Sequence, residues 1–208
     1  MPMPGTLLCP ARGAIGRAFL AALMAVGMLG CLAAPSRANA KSSEARDATQ
    51  TEVAELEVKA AYLYKFVSYV EWPGGAFRDP AQPIAIGVLG NDDLADELQR
   101  LVQGKSVKGR GFVVRKLQPG DDLGDIHILF LGDIELHGVT SALEAAASRD
   151  VLTVSDSRRV FASGSMINLV MVKQRLRFEV ALRPVQRSRL RLSALMLTAA
   201  YRVQQDRP

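Results

Sequence analysis

The sequence predicts an α/β domain: a mostly parallel sheet flanked by helices, with a C-terminal antiparallel β-hairpin at its edge. Three observations predict it. Short apolar runs suited to strands alternate with segments of helical period, at intervals that fit βαβ units. The run 126–131 is apolar apart from His127, as a strand buried on both faces of a parallel sheet must be. Two late apolar runs, 166–172 and 176–182, are joined only by Lys173-Gln174-Arg175, a hairpin spacing.

Taken in order, residues 1–40 have the pattern of an export signal. Arg12 and Arg17 form a basic start, an apolar run extends from Ala18 to Ala34, and Ala38-Asn39-Ala40 supplies small residues for cleavage. Gly27, Gly30 and Pro35 interrupt the run and polar residues follow, which argues against a permanent anchor. The mature chain is therefore expected to begin at Lys41 and to act in the periplasm. The alternative is lipidation at Cys31, since Leu29-Gly30-Cys31 resembles the end of a lipobox. Met28 and Leu29, however, stand where that pattern prefers a leucine and then a small residue.

Residues 41–51 are polar without an apolar period and read as a flexible lead-in, and 52–204 as one domain. Leu56, Ala60, Leu63, Val67 and Val70 recur at helical spacing and predict a helix over 52–70, stopped by Trp72-Pro73-Gly74-Gly75. Next comes a strand over 84–89, a turn at Gly90-Asn91-Asp92 and a capped helix with Leu94, Leu98 and Leu101 on one side. Strands are expected over 112–117 and 126–131, separated by the turn Pro119-Gly120-Asp121-Asp122. Leu136, Val139, Leu143 and Ala146 predict the next helix, and 151–154 the next strand. After the hairpin, a terminal helix from about Ser193 would lay Leu195, Ala199 and Tyr201 to Val203 on the sheet.

The net charge of +5 is uneven. Residues 1–40 hold Arg12, Arg17 and Arg37 and no acid, so the rest of the chain carries 23 basic and 21 acidic residues. Of these, 173–208 hold nine basic residues and two acids, and 41–172 hold fourteen and nineteen. A positive C-terminal segment on a negative body can orient a protein against an acidic partner or an anionic membrane surface. Export excludes nucleic acid as a partner. Both cysteines, Cys9 and Cys31, lie in the signal region, so the mature domain has no disulfide staple. Its length is enough to bury a core without one.

The chemistry-bearing residues point away from catalysis. His127, inside an apolar strand, reads as a satisfied core histidine, and His137, after Asp133 and Glu135, as a surface residue at a helix start. Three ligating types in five residues fall short of a structural metal site, and no metal or cofactor is expected. There is no Gly-x-Ser-x-Gly elbow and no Gly-rich dinucleotide fingerprint. The chain is expected not to be an enzyme.

Two surfaces suit a partner. On the first helix, Tyr62, Lys65 and Tyr69 fall opposite the apolar stripe, unless the helix is sandwiched and both faces are covered. Arg187, Arg189 and Arg191 would share one side of an extended stretch, as a partner-binding stripe or a solvated face. A small ligand, if there is one, would sit at the strand ends near Gly90, Asn91, Gly132, Ser155 and Asp156. An uncovered hairpin edge could also pair two copies into a homodimer.

Two blocks carry a family likeness: Lys59 to Pro73, KAAYLYKFVSYVEWP, and Val151 to Leu182, which contains Phe161-Ala162-x-Gly164-x-Met166-Ile167-Asn168 and Arg177-Phe178-Glu179-Val180. In order and spacing they resemble the YfiR family. That resemblance implies a small periplasmic regulator, not an enzyme, which binds and represses the periplasmic portion of an inner-membrane diguanylate cyclase. The alternative is a periplasmic small-ligand sensor or adaptor for another receptor. The best-known members carry disulfides, and where they often have cysteine before His-Ile-Leu-Phe this chain has Ile126, so redox sensing is not implied.

Overall fold

The structure is a computed structural model that describes residues 37–205, with side chains from residue 50 onward. The chain runs α1 (Arg37–Tyr69), β1 (Val70–Glu71), β2 (Ile84–Leu89), α2 (Asp92–Val102), β3 (Phe112–Leu117), β4 (Ile128–Leu131), α3 (Leu136–Ala147), β5 (Leu152–Ser155), α4 (Arg158–Ala162), β6 (Ile167–Val172), β7 (Arg175–Ala181), α5 (Leu182–Arg187), β8 (Arg191–Leu192), α6 (Ala194–Ala199) and β9 (Arg202–Gln204). Seven strands form one sheet in the order β3-β2-β4-β5-β6-β7-β9. The pairings from β3 to β6 are parallel, β6–β7 is antiparallel, and β9 lies parallel to β7. This is the predicted α/β architecture.

Two apolar layers hold the sheet. On one face Ile86, Val88, Ile128, Phe130, Leu152, Val154, Ile167 and Phe178 pack against Ala60, Leu63 and Val67 of α1 and Leu94 and Leu98 of α2. On the other, Leu89, Leu129 and Leu131 meet Val139 and Ala146 of α3 and Val160 of α4. Strands β2 and β4 feed alternate residues to both layers, which is why they read as unbroken apolar runs. Asn91 caps α2, its Oδ1 accepting from the Leu94 amide at 2.9 Å, and Asp92 and Asp93 add negative charge to the first turn.

The helix ends differ from expectation. The polar segment 41–51, expected as a flexible lead-in, is helical and continuous with α1, as its freedom from proline and glycine permits. At the other end α1 stops at Tyr69; Pro73 disfavours helix at Trp72, and Val70–Glu71 instead pair antiparallel with Arg191–Leu192. Residues 1–36, most of the expected signal sequence and Cys31 among them, lie outside the described residues.

The C-terminal helix is shorter than predicted. Ser193 caps it by accepting from the Met196 amide at 3.2 Å, and it ends at Ala199. Met196, not Leu195, is its buried residue, and Leu195 is 72% exposed. Tyr201–Val203 do not continue the helix, because Arg202–Gln204 add a strand alongside Glu179–Ala181. The hairpin is therefore only partly an edge: β9 covers one end of β7, and the Tyr62 hydroxyl donates to the Leu176 carbonyl at 3.1 Å.

His127 sits at the N-terminal end of the parallel strands. It is 3% exposed, its Nδ1 accepts from the Ala85 amide at 3.1 Å, and its ring stacks on Phe77 at 4.2 Å. The Arg110 guanidinium covers the far face of this pair, 4.0 Å from the Phe77 centroid. Burial holds the His127 pKa below its ordinary value, against an opposing hydrogen bond to the Ala76 carbonyl. A folded pKa depressed below the unfolded one means that this stability is complete above the unfolded value of 6.5 and is lost as pH falls through the folded value. Urea melts at several pH values between about 5 and 7.5 should show that acid limb. His127→Leu should flatten it while lowering the neutral plateau by about 1–2 kcal/mol, because the Ala85 amide loses its acceptor.

Candidate functional site

The two motif triplets of the sequence, Met166-Ile167-Asn168 and Arg177-Phe178-Glu179, face each other across β6 and β7. A two-residue turn, Lys173-Gln174 with φ of 48° and 60°, sets the register, pairing Asn168 with Glu179, Leu169 with Phe178 and Val170 with Arg177. Ile167, Leu169, Phe178 and Val180 thereby turn toward α1, and Asn168 and Glu179 turn away from it.

That opposite face carries a polar row across four strands. Ser155 pairs with Asn168, Asn168 with Glu179, and Glu179 with Arg202. All but the arginine are buried, Asn168 to 1% exposure. Ser155 Oγ lies 3.0 Å from Ser165 Oγ and 3.4 Å from Asn168 Oδ1, and Ser165 Oγ donates to the Ile167 carbonyl at 3.1 Å. Two hydroxyl protons serve three contacts, so the longest, to Asn168, is the weakest. Glu179 meets Arg202 at 3.6 Å. Neither serine has a histidine or carboxylate base on it, so the row can orient and bind but lacks the partners of a nucleophile.

Beside the row, at the end of β5, α1 is latched to the sheet. Lys59 Nζ lies 2.7 Å from Asp156 Oδ2 and 2.8 Å from Glu55 Oε1. Burial opposes the Lys59 charge, but hydrogen bonds to Asp156 and Glu55 outweigh it and raise its pKa above the ordinary 10.5. In the sequence Lys59 has no visible role in joining α1 to the sheet, because Asp156, its partner there, stands 97 residues away.

The other sequence candidates divide. Tyr62 is not outward-facing: its ring lies 5.7 Å from both Phe66 and Phe178, and its hydroxyl is tied to Leu176. The hairpin covers that side of α1, so the sandwiched alternative holds for Tyr62. Lys65 and Tyr69 remain exposed. The three arginines of the expected stripe are all exposed but sit in different settings and not on one extended stretch. Arg187 ends α5, Arg191 pairs in β8 opposite Glu71, and Arg189 is held by Asp150. The Arg189 Nε donates to Asp150 Oδ2 at 2.9 Å and its backbone amide to Oδ1 at 3.0 Å, and these bonds keep the Asp150 pKa below normal despite burial.

At the strand ends expected to hold a ligand, the backbone is closely packed at two of the named glycines. A Cβ on Gly132 would lie 2.6 Å from the Gly90 carbonyl oxygen, and one on Gly90 2.4 Å from Ile134 Cγ2, so β2 and β4 close on each other there. Asn91 is spent on its helix cap, Ser155 on Ser165, and Asp156 on Lys59. A cavity of about 720 Å³ lies farther out, lined by Pro119, Asp133, Glu135, His137 and Arg159. No group of three metal-ligating side chains is found among the described residues.

A family model described as DUF4154, YfiR/HmsC-like, matches residues 56–201. The match takes in both blocks and more than half of the chain, and the protein belongs to the YfiR/HmsC-like family.

The latch makes a direct prediction. Lys59→Met leaves Asp156 and Glu55 without their cation at a largely buried position and should lower stability by about 2 kcal/mol, with Lys59→Arg recovering part of it. Because the folded pKa is raised, this contribution is present at neutral pH and up to the ordinary value of 10.5, and is lost on the alkaline side as pH rises through the folded value. Denaturant melts of the three proteins at neutral pH check the first claim, and alkaline melts the second.

Proposed function

We propose, taking membership of the YfiR/HmsC-like family as the premise, that this protein is an exported, non-catalytic regulator. It binds the periplasmic portion of an inner-membrane diguanylate cyclase, holds the enzyme inactive and lowers cyclic di-GMP. The observation that carries this reading is the extent of the family match, which runs from α1 through α6. The internal chemistry supports it: the buried polar groups of the sheet are bonded to one another and not arrayed around an open cleft.

Export rests on the pattern of residues 1–40, with cleavage after Ala40 and a working domain over 52–204. Among the described residues no helix is long and apolar enough to cross a membrane. Repression by binding is a population shift, and a full switch of the cyclase needs about 5.5 kcal/mol of differential affinity between its two states. On the regulator, Lys65 and Tyr69 are the exposed remainder of the first helix's outer side and form the proposed docking patch.

Deleting the gene should raise cellular cyclic di-GMP, and restoring it should bring the level down; an unchanged level in both directions defeats the proposal. Lys65→Ala with Tyr69→Ala should raise cyclic di-GMP as the deletion does while leaving Tm within a few degrees, whereas Tyr62→Ala should lower Tm by loosening the hairpin. N-terminal sequencing of the exported protein should begin at Lys41, and a lipid-modified Cys31 would overturn the cleavage reading.

A further inference from the structure

The register that buries Asn168 and Glu179 also gathers unpaired positive charge at the far end of the hairpin. Arg175 and Arg177 lie on the same side of β7 as Glu179, away from α1, opposite the half-buried Val172 and Val170 of β6. Lys173 occupies the turn. No acidic side chain of the described residues pairs with any of these three. The nearest acid along the strand, Glu179, is buried and faces Arg202.

A shallow cleft of about 590 Å³ opens here, lined by Val172, Lys173, Arg175, Arg177, Ala199 and Tyr201 among others, with no carboxylate in its walls. Tyr201 is 51% exposed, so cations and an amphipathic aromatic share one surface.

We propose that this surface seats the protein on an anionic lipid bilayer. Three features favour a bilayer over a protein strand. The outer edge of β7 is closed to strand addition: the Leu176 carbonyl accepts from Tyr62, the Phe178 carbonyl accepts from the Tyr201 amide at 2.8 Å, and residues 179–181 pair with β9. The cleft's charge is of one sign, as suits a layer of phosphates, and its exposed tyrosine suits the headgroup boundary. The sequence segment that holds the hairpin tip is itself the positive one, since residues 173–208 carry +7 and residues 41–172 carry −5. The arginines would grip phosphates in the paired, planar geometry that lysine lacks. This surface is independent of which protein partner the regulator binds.

The test is sedimentation of the purified protein with phosphatidylethanolamine vesicles, with and without about 30 mol% phosphatidylglycerol, at low and at roughly 0.5 M salt. Binding is expected only with phosphatidylglycerol and is expected to weaken strongly in salt. Each basic residue near such a surface contributes about a fivefold change, so Arg175→Gln with Arg177→Gln should weaken binding about 25-fold while Tm holds. The control is Lys108→Asn, in the loop before β3 at the opposite edge of the sheet. Lys108 has a φ of 53°, which asparagine tolerates, and the change should leave binding unaltered. No binding to phosphatidylglycerol vesicles, equal binding to neutral ones, or equal losses in the hairpin and loop variants would each overturn the proposal. Absence of lipid binding together with loss of repression in the hairpin variant would assign the surface to a protein partner and reject the bilayer.

Discussion

The cross-strand register of β6 and β7 is the constraint on which the rest of this molecule depends. Side chains alternate between the faces of a strand, so a slip of one residue would carry Ile167, Leu169, Phe178 and Val180 out of the core and put Asn168 and Glu179 in their place. The turn that fixes the register is costly in itself. Lys173 and Gln174 both adopt left-handed backbone angles where Asn-Gly would be easier, at about 1 kcal/mol or more each. Six paired residues on each strand and the apolar contact with α1 offset that cost.

Other parts of the structure brace the same unit. Tyr62 connects α1 to the outer edge of β7, and Lys59 connects it to the end of β5, one residue beyond Ser155 in the polar row. Arg189 grips Asp150 at the start of β5, anchoring the segment between α5 and β8. That leads the chain through α6 to β9, where Arg202 comes opposite Glu179. The polar row is thus closed at one side by the last strand, and the surface beyond it holds the unpaired cations of the hairpin tip.

The parallel core was legible in the sequence because each of its elements declares itself locally. The runs 84–89 and 126–131 are apolar at every position or nearly so, Asn91 and two aspartates mark the start of α2, and His127 could be placed inside by its neighbours alone. Elements defined by distant partners were not legible. Arg202–Gln204 has no strand pattern of its own and becomes β9 because β7 offers a free edge; α5 is six residues long; β1 and β8 are two residues each. The surroundings of the candidate residues were hidden for the same reason. Tyr62 looks exposed on a helical wheel, and only Phe178, brought in from elsewhere in the chain, covers it, while Arg189, still exposed, meets a carboxylate, Asp150, that stands 39 residues away. The motif triplets were visible as sequence, but their meeting as Asn168 opposite Glu179 required the turn length to be read as two residues, not three.

Disulfide trapping of the hairpin register tests this account most directly, because the described domain contains no cysteine to interfere. With Cys9 and Cys31 replaced by serine, cysteines introduced at Val170 and Arg177 stand opposite each other and should close a bond under mild oxidation, read by thiol titration and intact mass. Cysteines at Val170 and Leu176 point to opposite faces in this register and should stay reduced. Closure of the second pair in preference to the first would contradict the register, and with it the polar row, the buried motif residues and the basic surface built on them.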